Sequence, residues 1–236
     1  MKKVLALALV IATFAFVLIG CIPETPKFDP NAKSEGTMTY EQYVAAELDA
    51  PVVIEGFVQG KQSWWDNKAT IYLQDGDGAY FVYEMTCSEE DYAKLTIGTK
   101  IKVTGYKTEY HGEIEVDSGS EFEILEGEKW VATPTDVTAL LGKDEIVNKQ
   151  NMLVSFKDMT VKAISFKGGQ PGDDIYVTLT KDGVEYSFCV ERYLTAPETD
   201  LYKAGEALKE GDVIDVEGFL YWYDGINTHI TKVTVK

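Results

Sequence analysis

The sequence predicts a mainly β protein built from two tandem five-stranded Greek-key barrels, each with a short helix between strands three and four and another short helix before the barrel. Two observations carry this prediction. The segment LTIGTKIKVTGYKTEYHG at 95–112 returns without a gap as LKEGDVIDVEGFLYWYDG at 208–225. The same order of strand, turn and helix signals also surrounds both copies. A chain of 236 residues is long enough for two such units, each with its own core.

The first copy contains strand, hairpin and helix signals in a fixed order. Runs rich in β-branched and aromatic residues predict strands at 52–58, 69–74, 79–85, 100–107 and, for a fifth strand bulged at Ser118-Gly119, 113–116 with 122–125. The sequence DGDG at 75–78 predicts a hairpin between the second and third strands. The sequence SEED at 88–91 predicts an N-cap and an acidic first turn, so we expect a helix over 88–95.

The second copy repeats this order. Its predicted strands lie at 153–164, 174–180, 184–190, 213–221 and 226–235. The dipeptide Asp182-Gly183 predicts the hairpin between the second and third of these strands, and a helix is expected over 198–208. Two matches to one five-strand template are harder to obtain by chance than one, so the repeat supports the fold more strongly than either copy alone.

Each barrel is preceded by a helix signal. Thr39 and Gln42 form a capping box at the start of YEQYVAAEL. In TPTD at 133–136, Pro134 stands at the first helical position before VTALL. We therefore expect the repeating unit to be a short helix followed by a barrel.

Repeated glycines have two expected roles. Gly105 and Gly218 interrupt the fourth strands, where a small barrel must coil sharply and a side chain would obstruct it. Gly98 and Gly211 are expected to stop the preceding helices in a conformation with positive φ.

Three strands, a helix and two strands follow the order of the OB-fold. The run VVIEGFVQ…ATIYLQDGDGAYFVYEM…LTIGTKIKVTGYK resembles the OB-fold domains of single-stranded nucleic-acid binders and anticodon-binding domains. Over nearly all of residues 39–236 the chain also resembles tandem OB-type domains in lipoproteins of gut-type bacteria. The residues of these motifs form turns and the hydrophobic core, so the resemblance implies a fold and says little about the ligand.

The N-terminus has the features of a secretion signal. Met1-Lys2-Lys3 is basic, and an uncharged apolar run follows from 4 to 19. The ending Leu-Ile-Gly-Cys resembles the lipobox of bacterial lipoproteins, which implies a signal peptide over 1–20, lipid on Cys21 and attachment to the extracytoplasmic face of the cell membrane. The alternative is an uncleaved membrane-spanning helix, for which the stretch is marginal in length.

Composition divides the rest of the chain. Residues 21–38 are rich in Pro, Lys, Glu, Asn, Ser and Gly without apolar periodicity, which predicts a flexible tether. The expected organisation then continues with a first OB-like domain at 39–126, a linker with a short helix at 127–150 and a second OB-like domain at 151–236.

A formal net charge of −17 disfavours a nucleic-acid partner, because affinity for phosphates normally needs a basic surface. Phosphate attraction would have to come from local lysines such as Lys61, Lys68 and Lys107. The acidic surface is explained by solubility and by repulsion from anionic lipid headgroups.

Catalytic and metal-binding signals are weak. The sequence has no G-x-S-x-G, P-loop or HExxH motif, and its two histidines, His111 and His229, have no nucleophile near them in sequence. We therefore expect no enzyme, cofactor or metal, although a pair of acids in a cleft would revive a hydrolase. The DGDG turn lacks the further ligands of a calcium loop. Cys87 and Cys189 are expected as two thiols, with a bridge between the halves as the alternative.

Aromatic side chains in the predicted loops are the candidate binding residues, because OB-folds bind through the face of strands two and three and the adjoining loops. These candidates are Trp64, Trp65, Tyr110, His111, Tyr221, Trp222 and Tyr223. Such rings either stack on a ligand or fold back to close the end of a barrel. The leading hypothesis is a membrane-anchored module that binds or scaffolds an envelope protein or glycan. The alternative is a single-stranded nucleic-acid binder.

Overall fold

A computed structural model of the protein describes residues 28–236, so the predicted signal peptide and Cys21 lie outside the described residues. Within 28–236, no helix is long and apolar enough to cross a membrane. The first barrel and its helices comprise α1 (Tyr40–Ala45), β1 (Pro51–Lys61), β2 (Lys68–Gln74), β3 (Ala79–Thr86), α2 (Glu89–Lys94), β4 (Lys100–Tyr110), β5 (Glu113–Val116) and β6 (Glu121–Ile124).

The first sheet closes on itself. Its strands follow the order β1-β2-β3-β5-β4, and β1 pairs with β4 in antiparallel register from Pro51↔Tyr106 to Phe57↔Lys100. β3 and β5 are the parallel pair, with Phe81 opposite Glu115. β5 and β6 both pair with β4, and a turn that contains Ser118 and Gly119 separates them, as the predicted bulge requires.

The second barrel has the same topology. Its elements are β7 (Thr135–Asp136), β8 (Leu153–Phe166), β9 (Ile175–Lys181), β10 (Val184–Val190), α3 (Asp200–Ala207), β11 (Val213–Phe219) and β12 (His229–Val235), with 3-10 helices at Thr138–Leu140, Asp144–Lys149 and Lys167–Gly169. The ring runs β8-β9-β10-β12-β11 and closes where β11 pairs with β8. The fold class predicted from sequence, two tandem five-stranded OB-like barrels, is confirmed.

The two expected prefatory helices have different outcomes. The Thr39–Gln42 capping box is present in full at the start of α1. The helix expected after Pro134 is wrong, because Thr135 and Asp136 instead pair in parallel with β8. Asp136 Oδ1 then accepts from both the N–H and the hydroxyl of Thr138. The backbone hydrogen bonds of this segment are therefore made by an extended strand and a turn instead of a helix. Of VTALL, only Thr138–Leu140 forms a 3-10 helix.

Glycines in the fourth strands are needed for steric reasons. A Cβ on Gly105 would lie 2.7 Å from Cγ1 of Val116, and one on Gly218 would lie 2.5 Å from the carbonyl oxygen of His229. Gly98 and Gly211 have the expected positive φ, but their helices end earlier. Their N–H groups donate to carbonyls of the first strand of each barrel at 2.7 and 2.9 Å, so they start the strand pairing rather than stop a helix.

Residues 28–38 lie against the first barrel, which differs from the flexible tether predicted over 21–38. Two fully buried carboxylates, Glu55 and Asp75, explain the difference. Lys33 Nζ donates to Asp75 Oδ2 at 2.5 Å and to the Glu55 carbonyl at 2.6 Å. Glu55 accepts from the hydroxyls of Ser34 and Thr37 and pairs with Lys100. Charges that cannot remain buried alone therefore fix this segment to the barrel.

The two barrels are packed directly against each other. The rings of Tyr72 and Phe219 stack at 4.1 Å with an interplanar angle of 8°, and Phe81 completes this buried cluster. The Tyr72 hydroxyl and His229 Nδ1 share a hydrogen bond of 2.8 Å. Burial lowers the pKa of His229 to about 3, so its ring is neutral in this contact.

Backbone and amide groups complete the contact between the barrels. Gln74 Oε1 accepts from the N–H of Leu153 at 2.8 Å, and Glu113 Oε2 accepts from the N–H of Trp222 at 2.8 Å. The side chain of Gln150 donates to the Gly112 carbonyl at 2.8 Å. The interface is therefore apolar at its centre and hydrogen-bonded around it.

We expect Lys33→Met to lower the free energy of unfolding by roughly 3–5 kcal/mol, because it leaves the buried Asp75 carboxylate without its charged partner. Urea unfolding followed by tryptophan fluorescence measures the change. Lys203→Met, at an exposed lysine of α3, is the control and should change stability by less than about 0.5 kcal/mol. A Lys33→Met effect as small as the control's would contradict the assignment.

Candidate functional site

The outer face of β2 and β3 in the first barrel is divided into a covered and an open part. Tyr72 and Phe81 on this face are buried against the second barrel. Thr70 and Tyr83 lie beyond the covered part, on the same strands. Because OB barrels bind ligands on this face, the open part is the natural place for a site.

A groove of about 490 Å³ lies on the open part. We call it the aromatic groove, and it is lined by Gln62, Ser63, Trp65, Lys68, Thr70, Tyr83, Glu84 and Tyr193. Its three rings are accessible, with Trp65 68% exposed, Tyr83 39% and Tyr193 51%. Tyr193 comes from the second barrel, and its carbonyl accepts from the N–H of Ser63 at 2.6 Å. The groove is therefore complete only when the barrels are docked.

A tight turn projects Trp65 into the groove. Trp65 and Lys68 pair as an isolated antiparallel bridge, and Asp66 and Asn67 between them have φ of 49° and 57°. These are the angles of a type I′ turn, which asparagine and aspartate tolerate well. Trp64 is half-buried instead, and its indole Nε1 donates to the carbonyl of Cys87 at 2.9 Å.

The polar side of the groove is an ion pair between Lys68 and Glu84, and the backbone of Glu84 has an unfavourable conformation. Lys68 Nζ lies 2.8 Å from Glu84 Oε2. Glu84 has a φ of 43°, rare for a residue within a strand, and its N–H donates to Thr70 Oγ1 at 3.1 Å. Strain of this kind persists where the surrounding structure fixes it, often at binding sites. The Tyr83 hydroxyl also donates to Glu84, at 3.2 Å.

Three of the other predicted binding residues meet at a second place. His111 stacks on Tyr223 at 4.3 Å, and Tyr110 lies 6.1 Å from Tyr223. His111 Nδ1 is 3.1 Å from the carboxylate of Asp224. Tyr110 is the last residue of β4 and His111 lies in the turn before β5, whereas Tyr223 and Asp224 lie in the loop between β11 and β12. We call this group the seam cluster, because it joins the two barrels at the surface.

The remaining two candidates are less accessible. Tyr221 is half-buried between Phe81 and His229. Trp222 is also half-buried and lies 2.8 Å from where a Cβ on Gly112 would stand. Trp222 lines a separate groove of about 550 Å³ with Tyr186 and the segment after Gly142. Ligand binding by any of the seven candidates stays a prediction.

Sequence reasoning did not select Tyr83, Glu84 or Tyr193. Alternation along AYFVYEM places Tyr83 on the outer face with Phe81, so the strand period could have found it. Tyr193 follows β10 in a loop, and its approach to Ser63 joins residues 130 positions apart, so no local pattern signals it.

Two acidic side chains on β5 have shifted pKa values. Glu113 is fully buried, and burial raises its pKa well above the ordinary value. Burial, followed by the nearby Asp117 carboxylate, raises the pKa of Glu115 to about 7. The second shift brings a carboxyl group into the physiological range of pH.

The thiols and the DGDG turn have structural roles. Cys87 and Cys189 are both free and buried, which excludes the bridge between the halves. Burial raises the pKa of Cys87 to about 11 and raises that of Cys189 further, so neither is a reactive thiolate. Asp75 accepts the N–H groups of Asp77 and Gly78 at 2.8 Å. Across 28–236, no group of three or more His, Cys, Asp or Glu side chains is arranged to hold a metal ion.

No family model and no curated protein matches the chain. Among solved structures, it is similar to a murine DNA-binding protein bound to double-stranded DNA, at 14% identity and a TM-score of 0.38 over 79% of this chain and 96% of that one. It is also similar to a replication protein A heterotrimer bound to single-stranded DNA, at 10% identity and a TM-score of 0.33 over 79% of this chain and 49% of that one.

A third similar structure is the asparaginyl-tRNA synthetase from Pyrococcus horikoshii, at 15% identity and a TM-score of 0.29 over 35% of this chain. The similar part spans only 18% of the synthetase. The assignment of the fold rests on the strand pairing within this chain.

We expect Glu115→Gln to raise the melting temperature at pH 8 and to have little effect at pH 4.5. The folded pKa of about 7 lies above the ordinary value of 4.5, so the stability contributed by the protonated group is present below pH 4.5 and lost as pH rises through 7. Thermal unfolding across this range measures the difference. Glu126→Gln, at an exposed acid, is the control; a Glu115→Gln difference that does not grow with pH would contradict the shift.

Proposed function

We propose that this chain is a lipid-anchored, extracytoplasmic binding module that binds a glycan of the cell envelope through the aromatic groove. The observation that carries the proposal is the groove itself, in which three exposed rings surround the Lys68–Glu84 pair. The anchor is Cys21 and the signal peptide is residues 1–20, on the strength of the sequence features alone. In this proposal, 39–126 and 151–236 are the two domains.

The dimensions and chemistry of the groove favour a glycan over a protein. A volume of about 490 Å³ is that of a small-molecule or sugar site, whereas a protein partner needs a broader surface. Aromatic rings offer flat apolar faces to the C–H groups of a sugar. The Lys68 ammonium donates hydrogen bonds and the Glu84 carboxylate accepts them, which matches a ring that carries several hydroxyl groups.

A single-stranded nucleic acid is the alternative ligand, because bases stack on exposed aromatic rings as well. The formal charge of −17 opposes it. Lys68, the lysine in the groove, is already paired with Glu84, so little positive charge is left there for phosphates. We also propose that the protein is not an enzyme, since the thiols of Cys87 and Cys189 are neutral and His229 and His111 engage Tyr72 and Asp224.

We expect the full-length protein, purified in detergent and screened on a glycan array, to bind an oligosaccharide, and Trp65→Ala and Tyr193→Ala each to weaken that binding roughly tenfold. Calorimetry with the selected oligosaccharide measures the loss. Tyr106→Ala, at an exposed tyrosine outside the groove, is the matched control. Full binding by both groove variants would reject the glycan site. Binding of oligothymidine at low salt that depends on Trp65 would favour the alternative.

The anchor is tested separately. We expect the expressed protein to partition into the detergent phase of Triton X-114 and to incorporate a labelled fatty acid. Cys21→Ser should abolish the incorporation, because the lipobox interpretation places the lipid on the Cys21 thiol. Cys87→Ser is the control, since Cys87 is buried inside the first barrel. Equal labelling of Cys21→Ser and the unchanged protein would reject the anchor.

A further inference from the structure

Glu115 occupies an unusual position on the outer face of the first barrel. It lies on β5, between Phe81 on the parallel strand β3 and Thr108 on the antiparallel strand β4. Its neighbours Ile114 and Val116 pack into the core, so strand alternation directs Glu115 outward. Phe81 belongs to the covered part of the β2–β3 face and Tyr83 to the open part, so Glu115 lies where the second barrel ends.

The Glu115 side chain is nearly buried and has no partner. It is 6% exposed, and no group in residues 28–236 donates a hydrogen bond to its carboxylate. Glu113, two residues away on the same face, is deeper and accepts the N–H of Trp222. The Glu115 oxygens are not among the fully buried side-chain atoms of residues 28–236 that lack a partner, so the carboxylate keeps a narrow opening to solvent. Carboxylates buried to this degree are normally paired. An exception on a ligand-binding face indicates a functional constraint.

Tyrosine rings and acidic groups surround this carboxyl group. Tyr83 lies on β3 two residues beyond Phe81, which is the residue opposite Glu115. Burial raises the pKa of the Tyr83 hydroxyl, and the carboxylates of Glu84 and Glu115 raise it further. Burial also raises the pKa of Tyr221, and Glu113 and Glu115 add to that shift. Tyr110 on β4 lies opposite Glu113. The Tyr110 hydroxyl also contributes to the raised pKa of both Tyr83 and Tyr221. The charged neighbours on β5 and its following turn, Glu113 and Asp117, are also acidic.

Two lysines on neighbouring strands of this barrel are already engaged. Lys107 on β4 points to the opposite side, where its Nζ donates to carbonyls of Tyr43, Val44 and Ala46 at the end of α1. Lys68 is paired with Glu84. The site around Glu115 therefore combines a carboxylate without a cation and exposed tyrosine rings.

We propose that Glu115, with Tyr83 and Tyr110, forms a binding site for an organic ammonium group. This inference goes beyond the proposed glycan binding and does not depend on it. An ammonium group would give the carboxylate its missing ion pair and would lie over the faces of the tyrosine rings, which attract cations. The net charge of −17 would draw cations towards the surface.

Other ions fit this position less well. A calcium or magnesium ion needs several oxygen ligands, and no group of three or more ligating side chains exists within 28–236. An anion would face Glu113, Glu115 and Asp117 together. An organic cation needs only one carboxylate and aromatic faces, which are the groups present.

The test uses benzylamine and its neutral analogue benzyl alcohol with the full-length protein in detergent, by isothermal calorimetry at pH 8. We expect benzylamine to bind at least tenfold more tightly than benzyl alcohol, and Glu115→Gln to reduce benzylamine binding to the level of the alcohol. From pH 8 to pH 6 the benzylamine affinity should fall about tenfold, because protonation of a group with a pKa of about 7 removes the negative charge. Benzylamine itself stays protonated over this range.

Two control variants separate the possible outcomes. Glu121→Gln, at an exposed acid of β6, should bind benzylamine normally and controls for the change in net charge. Tyr83 belongs to both proposed sites, whereas Tyr193 belongs to the aromatic groove alone, so Tyr193→Ala should leave benzylamine binding unchanged. Equal binding of amine and alcohol, absence of binding by both, or full benzylamine binding by Glu115→Gln would overturn the proposal.

Discussion

The stacking of Phe219 on Tyr72 is the contact on which the functional surface of this protein depends. Both side chains are fully buried, at a ring separation of 4.1 Å, and Gly60 leaves room for the Phe219 ring because a Cβ there would lie 2.6 Å from it. The stack joins the outer face of β2 and β3 in the first barrel to the end of β11. With the barrels joined there, Tyr193 can stand beside Trp65, and the seam cluster can form.

Hydrogen bonds and ion pairs to buried polar groups fix the positions of the elements around this stack. The neutral His229 ring satisfies the Tyr72 hydroxyl, and Glu113 accepts the N–H of Trp222. Lys107 neutralises the carbonyl end of α1, and Lys33 satisfies Asp75. Each of these groups would cost free energy if its partner moved away, so they allow little sliding between the packed elements.

Docking has two consequences for function. It removes Tyr72 and Phe81 from the face that an isolated OB barrel would offer to a ligand, and this shortens the available surface. It also adds a ring from the second barrel and leaves Glu115 at the boundary, nearly buried and unpaired. The proposed glycan site is thus a product of the interface, whereas the residues of the proposed ammonium site belong to the first barrel.

Much of the fold could be predicted from residue patterns. The strand alternation in 79–85 and 184–190, and the repeated glycines at 105 and 218, led directly to the observed strands and barrel closure. Predictions from local sequence were wrong where contacts with distant residues determined the conformation of the segment. Pro134 suggests a helix start, yet Thr135 joins β8; the polar segment before Met38 suggests a tether, yet it is bound to buried carboxylates.

The candidate site could be predicted only in part. The sequence placed Trp64 and Trp65 alike in a predicted loop, but the structure exposes only Trp65, and Trp64 beside it folds back on the carbonyl of Cys87. The sequence alone determined the two barrels, since alternation and glycine placement act between neighbouring residues and strands. Tertiary structure alone decided which outer side chains are covered and which tyrosines meet, because these depend on contacts between residues more than a hundred positions apart.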